Sequence, residues 1–139
     1  MGAQIADHGL RGGRHGGFRG AQDLNPIKLA GVTRQCRTQR NLSADGQRAS
    51  RAMGEWARTN GFKPDAVRTS QWCRCQDTAR LAFGQYEDWP PLNSTFAGQG
   101  NPSAQIQALR ERLLAMPAGR TEVWVTHQVI MTALTGAYP

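Results

Sequence analysis

Lysine is nearly missing from this chain of 139 residues: Lys28 and Lys63 are the only two among 17 basic side chains. Positive charge therefore rests on arginine, whose rigid fork of donors suits phosphate oxygens better than a flexible ammonium does. Acids are scarce too, 10 in all, which leaves a net charge of +7. That balance suggests anionic partners, either phosphorylated small molecules or nucleic acid. Coding bias toward Arg, Ala and Gly would give the same excess. Cysteine is sparse, with only Cys36, Cys73 and Cys75. An odd count without framework spacing argues against a disulfide scaffold, and Cys73 and Cys75 stand too close to bridge easily. No Cys-x-x-Cys spacing is present, so neither a metal nor a cofactor is expected. No apolar run approaches membrane-spanning length, and Met1 to Gly20 has no signal-peptide core. The expectation is a cytoplasmic protein with no membrane partner. At 39 % hydrophobic and 19 % charged residues the chain has enough apolar material for one modest domain.

Residues 1–35 differ from the rest. Seven glycines fall between Met1 and Gly20, and "HGLRGGRHGGFRG" offers little to pack, so an irregular segment is expected there. Residues 36–139 read as an α/β domain. Leu42, Gly46, Ala49, Met53, Trp56 and Ala57 form one helical face, with Ser43 as N-cap and Asn60-Gly61 as the stop. Asp65 to Ser70 reads as a short strand, and Trp72 to Phe83 as a helix with Cys75, Thr78, Ala79, Ala82 and Phe83 inward. Gly84 to Asn101 reads as a long loop. Pro102 suits a helix start, and Ile106, Leu109, Leu113 and Leu114 give the next stripe. "EVWVT", Glu122 to Thr126, is a strand, and Val129 to Leu134 opens a last helix. Strands alternating with helices imply a largely parallel sheet.

Three pieces carry chemistry. His127 follows directly on "EVWVT", and in open α/β sheets ligands bind beyond the carboxyl ends of strands. Arg74 follows the other strand at the start of a helix, where free N–H groups and the helix dipole favour anions. Arg14 and His15 are adjacent, with Gly16 after them. Taken singly, His127 reads equally as a strand cap, Arg74 as a surface salt bridge and "RHG" as a chance match.

Together, Arg14-His15-Gly16, "TQRNLSADGQRAS", "SQWCRCQDTA" and "VWVTHQ" resemble the histidine phosphatase (phosphoglycerate-mutase-like) superfamily, in a short bacterial form. The resemblance covers residues 36–136 well and residues 14–35 weakly. It implies a three-layer α/β/α sandwich and hydrolysis through a phosphohistidine. On that pattern His15 is the nucleophile, Arg14 and Arg74 hold the phosphate, and His127 donates to the transferring group. The expected partner is a phosphorylated small molecule or phosphoprotein. Phosphoryl transfer is mostly positioning and charge stabilisation, which two arginines and a neutral imidazole can supply.

Three features differ from the family pattern. "ADHGLRGG" stands where an apolar strand is expected before Arg-His-Gly. Ser94 follows Leu92-Asn93 where many members carry a Glu that protonates the leaving oxygen. The chain stops soon after "TGAYP", where members continue into another strand. An altered N-terminus and a shortened C-terminus are the expectation. Two readings compete with catalysis: a non-catalytic remnant of the same fold, and a basic nucleic-acid-binding protein, the latter supported only by charge.

Overall fold

The computed structural model describes residues 3–6 and 36–138. Arg14 and His15, and the segment that carries them, lie outside the described residues. The ordered elements run β1 (Ala3–Ala6), α1 (Ala44–Thr59), β2 (Ala66–Thr69), α2 (Cys73–Phe83), β3 (Glu87–Asp88), α3 (Pro102–Leu114), β4 (Glu122–Thr126) and α4 (Gln128–Thr135). The fold is α/β. The strands form one sheet in the order β1-β4-β2-β3. Strands β3, β2 and β4 are mutually parallel, with Ala66 opposite Glu122 and Arg68 opposite Glu87. β1 is antiparallel to β4, Ala3 facing Thr126 and Ala6 facing Val123. A strand at Ala3–Ala6 corrects the expectation of irregular backbone throughout residues 1–35: alternating Gln4 and Ile5 precede the glycine-rich stretch.

β4 is buried at every position, as a strand covered on both faces must be. Its side chains alternate between two cores. Val123 and Val125 pack with Val67, Cys75 and Ala79, while Trp124 packs with Leu92, Leu109 and Ile130. Each large apolar side chain buried this way contributes about 1.5–3 kcal/mol. Glu122 shares the Trp124 side. It is 2 % exposed and accepts from the indole Nε1 of Trp124 at 2.8 Å, from Arg68 Nε at 3.2 Å, and from Arg112. Burial alone would raise its carboxyl; the hydrogen bonds of Arg112 and Trp124 and the charges of Arg68 and Arg112 outweigh that and hold it below its usual range.

The helices follow local signals. Ser43 Oγ accepts from Gly46 N at 3.1 Å, and Gly61 leaves α1 with φ of +68°, where glycine costs least. α1 packs on α2 through Gly54: a Cβ there would sit 2.0 Å from the carbonyl oxygen of Ala82. A mid-helix glycine costs about 1 kcal/mol against alanine; here it permits backbone-to-backbone approach.

The apolar stripes need correction at three points. Ala49 and Trp56 face solvent, Trp56 at 61 % exposure, and the buried side of α1 is Ser50, Gly54 and Ala57. Leu114 is 88 % exposed at the end of α3. Small residues won the inward face of α1 because the two helices pack too closely for an indole. The expected loop from Gly84 to Asn101 contains β3 and two 3-10 turns, Pro90–Leu92 and Phe96–Gly98. It is packed, since Leu92 is fully buried and Trp89 stacks edge-on against Trp124 at 5.0 Å.

Candidate functional site

Parallel register sets up the site. β2 and β4 lie side by side with Thr69 opposite Val125, so the residues just beyond their carboxyl ends, Ser70 and His127, become neighbours. Ser70 N donates to Val125 O at 2.9 Å and carries the ladder one residue further. Three residues after Ser70 α2 begins, and its second residue, Arg74, reaches back over the same strand ends.

Arg74 and His127 meet: Arg74 Nη2 is 2.8 Å from His127 Nδ1. His127 Nε2 is 2.8 Å from Ser70 Oγ. Trp72 closes one side, its ring edge-on to His127 at 5.7 Å and beneath the Arg74 guanidinium at 5.0 Å. Cys75 Sγ lies 3.7 Å from Nε2. Behind Ser70, Asn93 Oδ1 takes a hydrogen bond from Ser70 Oγ at 3.1 Å and one from Gln71 N at 2.8 Å. Asn93 Nδ2 donates to Gln71 Oε1 at 3.0 Å.

The polarity of this chain is fixed at both ends. Arginine has no acceptor, so Nδ1 must accept and its lone pair is bare. The proton of the neutral ring is then on Nε2, which donates to Ser70 Oγ. At the other end a backbone N–H, that of Gln71, turns Asn93 Oδ1 toward Ser70, whose hydroxyl hydrogen goes there. Every group in the row is paired, as most buried polar groups are, whereas the indole Nε1 of Trp72 beside it is buried without a hydrogen-bond partner among the described residues. A Ser–His nucleophile needs the reverse polarity, with the ring accepting from the hydroxyl and an acid on the other nitrogen. The Arg74 contact excludes that for this state of the site.

Electrostatics agree. Burial first, then the charge of Arg74, pushes the His127 imidazole down to about 3, so the ring is neutral at ordinary pH. Burial likewise pushes the Cys75 thiol up to about 11, against the charge of Arg74. Cys75 is therefore an uncharged wall of the site.

The start of α2 is tied down from another direction. Gln39 Oε1 accepts from Cys73 N at 3.0 Å. A disulfide joins Cys36 to Cys73, 37 residues apart. This corrects the sequence expectation against disulfides. Pairing depends on spatial approach, and the fold brings Cys36 onto α2 while Cys75 points inward and stays free. The bridge and Gln39 hold the "TQRN" segment against the helix that carries Arg74.

Of the four residues expected to act, Arg74 and His127 are brought together, and Arg14 and His15 lie outside the described residues. Sequence reasoning missed Ser70, Trp72 and Asn93. Ser70 was within reach of the argument that found His127, since both directly follow strands. Nothing in the sequence pairs Asn93 with a serine 23 residues away. Among the described residues no group of three His, Cys, Asp or Glu side chains is assembled that could hold a metal. A groove of about 500 Å³ runs along α3 past Pro102, Ile106, Arg110 and Leu114, and carries none of these residues. No helix among the described residues is long and apolar enough to cross a membrane. Comparison with models of known families, with curated proteins and with solved structures finds no match.

Proposed function

We propose that the chain is a phosphatase of the histidine-phosphatase kind, with a three-layer α/β/α arrangement, hydrolysing a phosphate ester or phosphoprotein. The observation that carries this reading is the Arg74–His127 pair, placed over the carboxyl ends of two neighbouring parallel strands, where open α/β sheets bind ligands. Arg74 at a helix start and a neutral imidazole beside it suit a phosphoryl group, whose negative charge must be met by fixed donors. On this reading His15 attacks phosphorus and the ester oxygen leaves. Arg14 and Arg74 hold the phosphoryl oxygens, and water then cleaves the phosphohistidine. No metal or cofactor is required. Ser94, in place of the expected acid, favours substrates whose leaving oxygen needs little protonation, such as aryl phosphates. The expected partner is a phosphorylated small molecule or phosphoprotein, and neither a membrane nor a nucleic acid. A cytoplasmic location holds only with Cys36 and Cys73 as thiols, because such bridges persist in oxidising compartments.

One observation favours the non-catalytic remnant. Both ring nitrogens of His127 and the first N–H of α2 are already occupied by protein groups. The two readings separate in one experiment. A phosphoryl donor should label the wild-type chain with an acid-labile, alkali-stable phosphate, and His15→Ala should remove it. Hydrolysis of an aryl phosphate at equal rates by wild type and His15→Ala would exclude His15 as nucleophile. Anion binding with neither label nor hydrolysis would leave the remnant.

A further inference from the structure

We infer that a tetrahedral dianion binding beside Arg74 draws one proton from solvent onto Nδ1 of His127, and that Ser70 and Asn93 are the positioning residues that enforce this. The inference rests on reading Arg74 and His127 as an anion site.

In the empty site Arg74 donates to Nδ1. A dianion is a stronger acceptor for a guanidinium than a neutral imidazole, so Arg74 turns to it. Nδ1 then loses its donor and faces the oxygens of the anion lone pair to lone pair. A bare acceptor in a buried position carries a desolvation cost. A proton on Nδ1 converts it into a donor aimed at the anion.

That proton has two conceivable sources. One is a tautomer shift, in which Nε2 gives up its hydrogen. The row behind the ring opposes it. Ser70 Oγ already gives its hydrogen to Asn93 Oδ1, and it also receives the backbone N–H of Trp72 at 3.3 Å. A bare Nε2 would therefore meet an oxygen with no hydrogen to offer. Reversing Ser70 would set its bare Oγ against Asn93 Oδ1 at 3.1 Å with no hydrogen between them, and the Gln71 N–H keeps the amide from turning to relieve that contact. The remaining source is solvent, and the ring becomes an imidazolium with Nε2–H on Ser70 and Nδ1–H on the anion.

Among the described residues, the charged group facing the ring is Arg74, from α2. Cys75, also from α2, faces it as a neutral thiol. The turn after β2 contributes Ser70 and Trp72, and the turn after β3 contributes Asn93 through Ser70, none of which titrates in this range. Burial first, and the charge of Arg74 second, disfavour a charged ring in the empty site; a dianion neutralises Arg74 and pairs directly with the imidazolium, which answers both. Protonation and binding are thus coupled.

Sulfate is the probe, because it stays a dianion across the range used and brings no proton of its own. Calorimetry on the full chain between about pH 5 and pH 7 should show affinity rising about tenfold for each unit of acidification. Heats in two buffers of different ionisation enthalpy should give uptake of about one proton per sulfate. His127→Gln should bind with no pH slope, and Ser70→Ala should bind with a flattened slope because the tautomer is released. Nitrogen spectra of the wild-type ring, which need no variant, should pass from the neutral Nε2–H form to imidazolium at saturation. Sulfate bound with a flat slope and a neutral ring overturns the inference and leaves the anion site standing. No sulfate binding at any pH removes the anion site and the inference with it. A full slope in Ser70→Ala overturns the positioning role.

Discussion

Arg74 Nη2 and His127 Nδ1 stand 2.8 Å apart, and that contact assigns the proton on the imidazole. A donor-only group on one nitrogen leaves the hydrogen on the other. Burial, and after it the charge of Arg74, keeps the ring neutral. An arginine bonded to a buried imidazole is placed differently from one paired with a surface acid.

Arg74→Ala should remove most anion affinity. Losing a charged donor of this kind costs about 2–5 kcal/mol, at least a thirtyfold weakening. Arg74→Lys keeps the charge without the fork and should recover only part of it. Vanadate or phosphate titration calorimetry measures both, and unchanged affinity in Arg74→Ala would count against the site.

Gly54→Ala tests the contact between α1 and α2. Helix propensity alone predicts a gain of about 1 kcal/mol. The new methyl would lie 2.0 Å from Ala82 O, so the helices must part. Overpacking at that level should dominate, with a net loss of roughly 2 kcal/mol or more. Urea unfolding decides the sign, and a stabilised variant would show the two helices to be further apart.

Acid should destabilise the protein in two stages. His127 falls from 6.5 to about 3 on folding, so the unfolded chain binds the extra proton. Its contribution is complete above 6.5 and is lost as pH falls from there toward 3, on the order of 5 kcal/mol in all. Glu122 is also lowered on folding, from 4.5, so its contribution is complete above that value and is lost below it. His127→Gln should flatten the upper stage of the stability–pH curve and Glu122→Gln the lower. Glu122→Gln should also cost roughly 3–5 kcal/mol at neutral pH, because Arg68 and Arg112 lose their buried partner. An upper stage that persists in His127→Gln would show the ring to be solvated.

The Cys36–Cys73 bridge should be worth about 3–4 kcal/mol, from the chain entropy of the loop it closes. Cys36→Ser should lower the thermal midpoint, and reductant should lower the wild type to match while leaving the variant unchanged. Thiol titration of the unfolded, unreduced chain should find Cys75 alone. A midpoint indifferent to reductant would mean the bridge carries no stability.

Much of the fold was legible in the sequence because its signals are local. Ser43 caps the helix it precedes, Pro102 opens α3, and the run Glu122–Thr126 is a strand. Parallel strands with His127 and Arg74 just past their ends follow from the alternation of elements alone. Tertiary structure decided what depends on which surfaces meet. Trp56 and Leu114 point outward although the helical period pointed them in, because approach at Gly54 left room only for small residues on α1 and nothing covers the end of α3 among the described residues. Cys36 found Cys73, and Asn93 found Ser70, across separations that no spacing encodes. The proton on His127 was decided last, since it depends on a donor, a hydroxyl and an amide from three segments meeting around one ring.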